Sequence, residues 1–202
     1  MQQLLRSAAL TLVLIPGLAT LLHAGDVVFD FDNPAPSSST TPLSVTVNGL
    51  TATFTSSPDA GGFMVLNQAG FFSSLTGNFL IDSAPETLTI SFSSPQASIS
   101  LDFATGDDNP LNLSASLLGS PVGTQSATGT IPAGFDLPEG VLTFSGGTFD
   151  TVVLSSATPS FAIDNIDVND GLSSPAPEPG SLLLCGGALA ALSFLRRRRR
   201  VA

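Results

Sequence analysis

Between Val27 and Val168 the apolar side chains recur at every second position, in short runs with Ser or Thr between them. Leu88, Ile90 and Phe92 alternate with Thr89 and Ser91. Ile99, Leu101 and Phe103 alternate with Ser100 and Asp102. A period of two places all the apolar members on one face of an extended strand and does not fit the 3.6-residue turn of a helix. Clusters of Gly, Pro, Asp and Asn separate the runs, and these residues supply the conformations that turns need. Strands are expected over Val27–Asp32, Leu43–Val47, Leu50–Thr55, Phe63–Leu66, Asn78–Ile81 and Thr87–Phe92. Others are expected over Ile99–Ala104, Leu111–Leu117, Val141–Phe144, Thr151–Ser155 and Phe161–Val168. Asn48-Gly49 is the strongest hairpin signal among the turns. No helical period appears outside the two apolar ends. The expected fold is all-β: a single two-sheet antiparallel β-sandwich, jelly-roll-like, over residues 25–170. That length is enough to bury a real core.

The same stretch is chemically narrow. Gly25 to Ser174 contains no Lys, Arg, His, Cys, Trp or Tyr. It holds 15 of the 16 acidic residues and no base, so its formal charge is −15, against −10 for the whole chain. Without His, Lys or Cys, no Ser–His–Asp or Cys–His arrangement can be built. The usual zinc ligands are missing too. Nucleic acid is repelled, because its binding needs basic residues against the phosphates. Carboxylates remain, and a pair of them can hydrolyse a glycosidic bond. Such sites usually add aromatic platforms, and Phe is the only aromatic here. The reading is therefore non-enzymatic. Disulfides are excluded within the domain, so its own core or a bound cation must hold it.

All the basic residues lie in the two ends. Arg6, the apolar stretch Ala8–Leu22 and the small residue Ala24 have the layout of an export signal over residues 1–24. At the other end, a Pro/Ser linker at 171–180 precedes residues 181–202. There an apolar run from Leu182 to Leu195 leads into Arg196, Arg197, Arg198, Arg199 and Arg200. Such a run can enter a bilayer as a transmembrane helix, and the arginines stay on the cytoplasmic side as a stop-transfer signal. The run is short for a stable span, which needs about 20 apolar residues. That suits a transient membrane contact through 181–195. Pro177-Glu178-Pro179, the Gly-containing apolar stretch and the terminal arginines, in that order, resemble the PEP-CTERM sorting signal over residues 177–200. The resemblance implies processing near Pro177, Glu178 and Pro179 by an exosortase-type membrane protease. It also implies delivery to the cell surface or extracellular matrix, in association with exopolysaccharide or biofilm. A plain C-terminal anchor is the simpler alternative.

The region between resembles the jelly-roll domains of PEP-CTERM proteins and, more loosely, sugar-binding β-sandwiches. The resemblance is carried by Phe29-Asp30-Phe31-Asp32 and by Phe161 to Val168, with Ser91 to Pro95 and Leu101-Asp102-Phe103 between them. It implies that the first and last strands lie together, bringing Asp30 and Asp32 near Asp164, Asn165 and Asp167. Oxygen ligands of this kind suit a structural Ca²⁺. The alternative is that these aspartates sit on solvent faces or cap turns. Gly106-Asp107-Asp108-Asn109-Pro110 is open to the same two readings: a cation or sugar contact, or a turn. Phe71-Phe72 is either core at a sheet edge or an exposed stacking surface. Two functions follow: an exported surface or matrix protein and, as the alternative, a calcium-stabilised carbohydrate-binding module.

Overall fold

In the computed structural model the described residues are 25–32, 42–57, 62–68, 70–83, 87–157 and 160–172. They contain strands and no helix. The strands are β1 (Asp26–Phe29), β2 (Leu43–Val47), β3 (Leu50–Ser57), β4 (Phe63–Asn67), β5 (Asn78–Ser83) and β6 (Thr87–Gln96). They continue with β7 (Ser98–Thr105), β8 (Leu111–Leu117), β9 (Ser120–Ala127), β10 (Glu139–Phe144), β11 (Phe149–Ser156) and β12 (Ser160–Asn169). The expected export segment 1–24, Pro177-Glu178-Pro179 and Arg196 to Arg200 lie outside the described residues.

The alternation read from the sequence is what builds the core. Leu88, Ile90 and Phe92 turn inward from β6, and Ile99, Leu101 and Phe103 turn inward from β7. They meet in one apolar layer between two six-stranded antiparallel sheets, a β-sandwich. The first sheet runs β10-β7-β12-β5-β4, with β1 also paired to β12. The second runs β2-β3-β6-β11-β8-β9. From β9 onward every connection crosses between sheets, so neighbours within a sheet are distant in sequence. Aromatic edges lock the layer: the rings of Phe31 and Phe54 lie 5.2 Å apart, and those of Phe144 and Phe149 lie 5.7 Å apart.

Two turns show how local chemistry sets register. Asn48 and Gly49, at φ 49° and 88°, close the β2–β3 hairpin as expected. Leu118 and Gly119, at φ 50° and 78°, do the same for β8 and β9. Sequence reasoning passed over β9, because Ser120–Ala127 has little apolar alternation and its turn opens with Leu where Asn is usual. The first strand is shorter than expected. It ends at Phe29, and Phe31 takes a left-handed φ of 53° while staying buried. The Asp30 carboxylate accepts the Asp32 N–H at 3.2 Å, a local turn that draws the chain away from the sheet.

The first sheet carries a second apolar cluster on its outer face. Phe72 and Leu75, from the loop before β5, pack with Phe79, Ala104 and Ala162. Ala104 and Ala162 are register partners on β7 and β12. Their small side chains let the loop lie close to the sheet.

Candidate functional site

The expected site centres on β12, and its sequence contains the reason for its shape. Phe161 and Ile163 point inward, as do Ile166 and Val168. The step from 163 to 166 is three residues where strict alternation would need two. The chain absorbs the extra residue as a bulge: Asp164 pairs with Asp102 and Asp167 with Ser100, and Asn165 sits between them at φ 48°. On its other edge, β12 pairs with β5 through Ser160–Ile163 and with β1 through Ile166–Asn169. Asp164 and Asn165 therefore face a gap between the ends of two strands.

Carboxylates close that gap. Asp164 has no accessible surface. Its Oδ1 accepts the Asn165 N–H at 2.8 Å and its Oδ2 accepts the Thr76 N–H at 3.2 Å. Asp32 Oδ1 accepts the Asn78 N–H at 2.9 Å. Two carboxylates thus stand in for ladder partners on either side of Gly77. A Cβ at Gly77 would lie 2.1 Å from Asp32 Oδ1, and its φ of +74° already favours glycine. Asn165 Nδ2 donates to Asp102 Oδ2 at 2.9 Å. Burial pushes the Asp164 carboxyl up to about 7; the two backbone N–H groups pull against this, and the charges of Asp32 and Asp102 add to it.

The five residues expected to share one ion fall into separate places. Asp32, Asp164 and Asn165 meet at the gap. Asp30 is exposed and turned toward the Asp32 N–H. Asp167 lies beyond the bulge, where burial first and the nearby Asp26 charge second raise its proton affinity. It helps line a recess of about 240 Å³ on the outer face of the first sheet, together with Asp26, Ser98, Ser100, Thr143 and Asn169. Asn169 Nδ2 donates to Asp26 Oδ1. Calcium takes six to eight oxygens. Among the described residues no group of three acidic side chains gathers to hold a metal ion. Each Asp164 oxygen already accepts a backbone N–H, so the set as arranged fits such an ion poorly.

A second constellation lies beside the gap, and sequence reasoning found its parts but not their union. The loop before β5 is held down by Glu139, a buried carboxylate at the start of β10. Its oxygens accept the Ser73 N–H at 2.8 Å, the Ser74 N–H at 2.7 Å and the Ser74 hydroxyl at 2.6 Å. Phe71-Phe72 divides between its two expected readings: Phe72 is buried core and Phe71 is 54% exposed. Gly106 to Pro110 is a turn, with Asp107 Oδ1 accepting the Asn109 N–H at 2.8 Å and the Thr105 hydroxyl donating to the Asp107 carbonyl at 2.8 Å. Phe71, Phe72, Leu137, Thr105, Gly106 and Ser160 are among the residues that line a cleft of about 140 Å³. Glu139 could have been suspected only as an isolated acid before a short strand; its partners are more than 60 positions away.

No family model and no curated protein matches the chain, so the sorting-signal resemblance stands on its motif alone. Solved structures resemble it distantly. The K1 cleaved adhesin domain of Lys-gingipain from Porphyromonas gingivalis W83 superposes with a TM-score of 0.44 at 10% identity, covering 74% of this chain and 100% of that one. The C-terminal family 22 carbohydrate binding module of Clostridium thermocellum Xyn10B gives 0.36 at 13% identity, covering 58% and 87%. The catalytic unit of the GH87 α-1,3-glucanase from Streptomyces thermodiastaticus strain HF3-3 gives 0.37 at 15% identity, covering 69% and 28%. At these values the likeness carries neither a fold assignment nor a residue role.

Proposed function

We propose that this chain is a non-enzymatic exported surface or matrix protein. In this reading it is sorted through its C-terminal segment and associates with exopolysaccharide. The observation that carries the ectodomain part is the use made of its carboxylates. Glu139, Asp164, Asp32, Asp107 and Asp150 all accept backbone N–H groups and hold loops or strand ends in place. In these positions the carboxylates serve the fold. The pair that most resembles an acid and a base, Asp164 and Asp32, is closed to substrate because Asp164 has no accessible surface. The outer face of the second sheet supports the same reading. Rows of Ser and Thr cross it, such as Ser44, Thr53, Ser91, Thr151 and Ser116, and among the described residues Asp150 is the only carboxylate on its strands.

Sorting rests on the order of Pro177-Glu178-Pro179, the apolar run and Arg196 to Arg200. The test is the mass of the surface-exposed protein in the native cell. Loss of the tail near residue 177, with membrane-held precursor accumulating when Pro177, Glu178 and Pro179 are replaced by Ala, is the expected result. An intact tail on the surface species, or unchanged release of the variant, would refute sorting.

The second reading is a calcium-stabilised carbohydrate-binding module. The like-charge crowding of Asp32, Asp102 and Asp164 favours it, since a cation would relieve that crowding. The engaged oxygens of Asp164 count against it.

A further inference from the structure

We propose that the cleft beside Phe71 binds a single ring of a neutral polysaccharide, with Phe71 as the stacking platform. This rests on the exopolysaccharide reading above and gives it a place on the molecule. Phe71 is the exposed aromatic among the described residues, and leaving about half of the ring in water forfeits about 1 kcal/mol of burial. Yet the ring is not loose. It stands edge-on to Phe72 at 4.8 Å and 89°, and Phe72 stands edge-on to Phe79 at 5.0 Å and 82°. Its loop is tied through Ser73 and Ser74 to Glu139, through Thr76 to Asp164, and through Asn78 to Asp32. Three carboxylates from three elements hold an aromatic ring in solvent. A platform ordered in advance spares a ligand the entropy of ordering it.

The cleft is matched to one small ring. Its volume is about 140 Å³, below the several hundred Å³ typical of sites for larger ligands, so it does not seat a lipid chain or a peptide segment. The apolar walls, Phe71, Ile81 and Leu137, suit the C–H face of a pyranose, which an aromatic face attracts through its quadrupole. Thr105, buried with its hydroxyl donated to the Asp107 carbonyl, forms part of the floor. Residues 25–174 carry a formal charge of −15, which disfavours an acidic polysaccharide and selects an uncharged one.

The test uses the full chain in a detergent without a sugar headgroup, run in affinity gels containing galactomannan, mixed-linkage β-glucan or alginate. The expected result is retardation by at least one neutral polymer and none by alginate. Phe71→Ala should weaken that retardation at least tenfold, while Val28→Ala, an exposed apolar change on β1 of the same sheet and outside the cleft lining, leaves it unchanged. Thermal melts should show both variants folded, with Phe71→Ala lowered by only a few degrees through loss of its ring contact with Phe72. The chain has no Trp or Tyr, so Phe71→Trp places a unique fluorophore in the cleft. Its emission should shift to the blue as the retarding polymer is added. Retardation by neither neutral polymer, by alginate alone, or equally with Phe71→Ala would overturn the site. None of these results touches the processing of the tail, so the site and the sorting reading fail separately.

Discussion

Asp164→Asn isolates the cost of burying a carboxyl in the β12 gap. In the folded chain the Asp164 carboxyl titrates near 7, against 3.8 when unfolded. The folded state therefore holds this proton more tightly. Stability from this group is fully present below pH 3.8 and is lost as pH rises toward 7, then stays lost. Between pH 5 and pH 8 the loss covers the two units from 5 to 7, or about 2.7 kcal/mol at 1.36 kcal/mol per unit. Solvent-exposed Asp32 is close enough to act on Asp164, so solvent screening reaches the gap and trims this to about 1.5 kcal/mol. Asparagine keeps the shape and removes the titration. It can accept only one of the two N–H groups from Thr76 and Asn165, at a cost of about 1 kcal/mol that does not depend on pH. Urea unfolding of both proteins at pH 5 and pH 8, without divalent ions, gives the quantity of interest as a difference of differences. The parent should lose about 1.5 kcal/mol more than the variant on going to pH 8. Asp167, also raised, contributes equally to both proteins and cancels. Equal losses in the two proteins would refute the account of the gap as a site of buried, crowded charge.

Gly77→Ala, which drives a Cβ into Asp32, should cost about 2–4 kcal/mol. Gly134→Ala, at φ +88° in open space, should cost only about 1 kcal/mol. Thermal melts giving the same cost for both would remove the steric argument. Glu139→Gln should cost about 2 kcal/mol and speed hydrogen exchange at the Ser73 and Ser74 amides, and unchanged exchange would mean that the carboxylate does not hold the loop. Leu118→Asn should stabilise the chain by about 1 kcal/mol, read as a higher urea midpoint, because Leu118 is 88% exposed in a left-handed conformation that asparagine tolerates. An unchanged or lower midpoint would show the β8–β9 turn to be unstrained. Melts in millimolar calcium and in excess chelator should coincide if backbone N–H groups alone satisfy Asp32 and Asp164, whereas a drop of several degrees with chelator would establish a stabilising ion there.

Much of this fold is written in the alternation of its strands. Leu88, Ile90 and Phe92 need no partner to be identified as one face of a strand, because the period of two is a property of the extended backbone itself. The same holds for Asn48-Gly49, whose conformations depend on those two residues. The bulge in β12 lies outside the expectation of a regular strand over Phe161–Val168; the three-residue step from Ile163 to Ile166 acquires that meaning once the inward residues are known. β9 was not legible. Its sequence has a weak pattern, and its place is set by the turn at Leu118-Gly119 and by pairing to β8.

The candidate site divides along the same line. The sequence by itself determined that this domain is all-β, strongly acidic and without basic residues, since composition and local period depend on no long-range contact. The resemblance to jelly-roll domains implied that the first and last strands lie together, and β1 does pair with β12. Only the tertiary structure decided what the acids do. Asp32 reaches the N–H of Asn78, Asp164 that of Thr76 and Glu139 those of Ser73 and Ser74, across separations of 46, 88 and more than 60 residues. Those partners are backbone groups, which every residue carries. No side-chain pattern marks them in advance, and a carboxylate finds them only once the two sheets have closed.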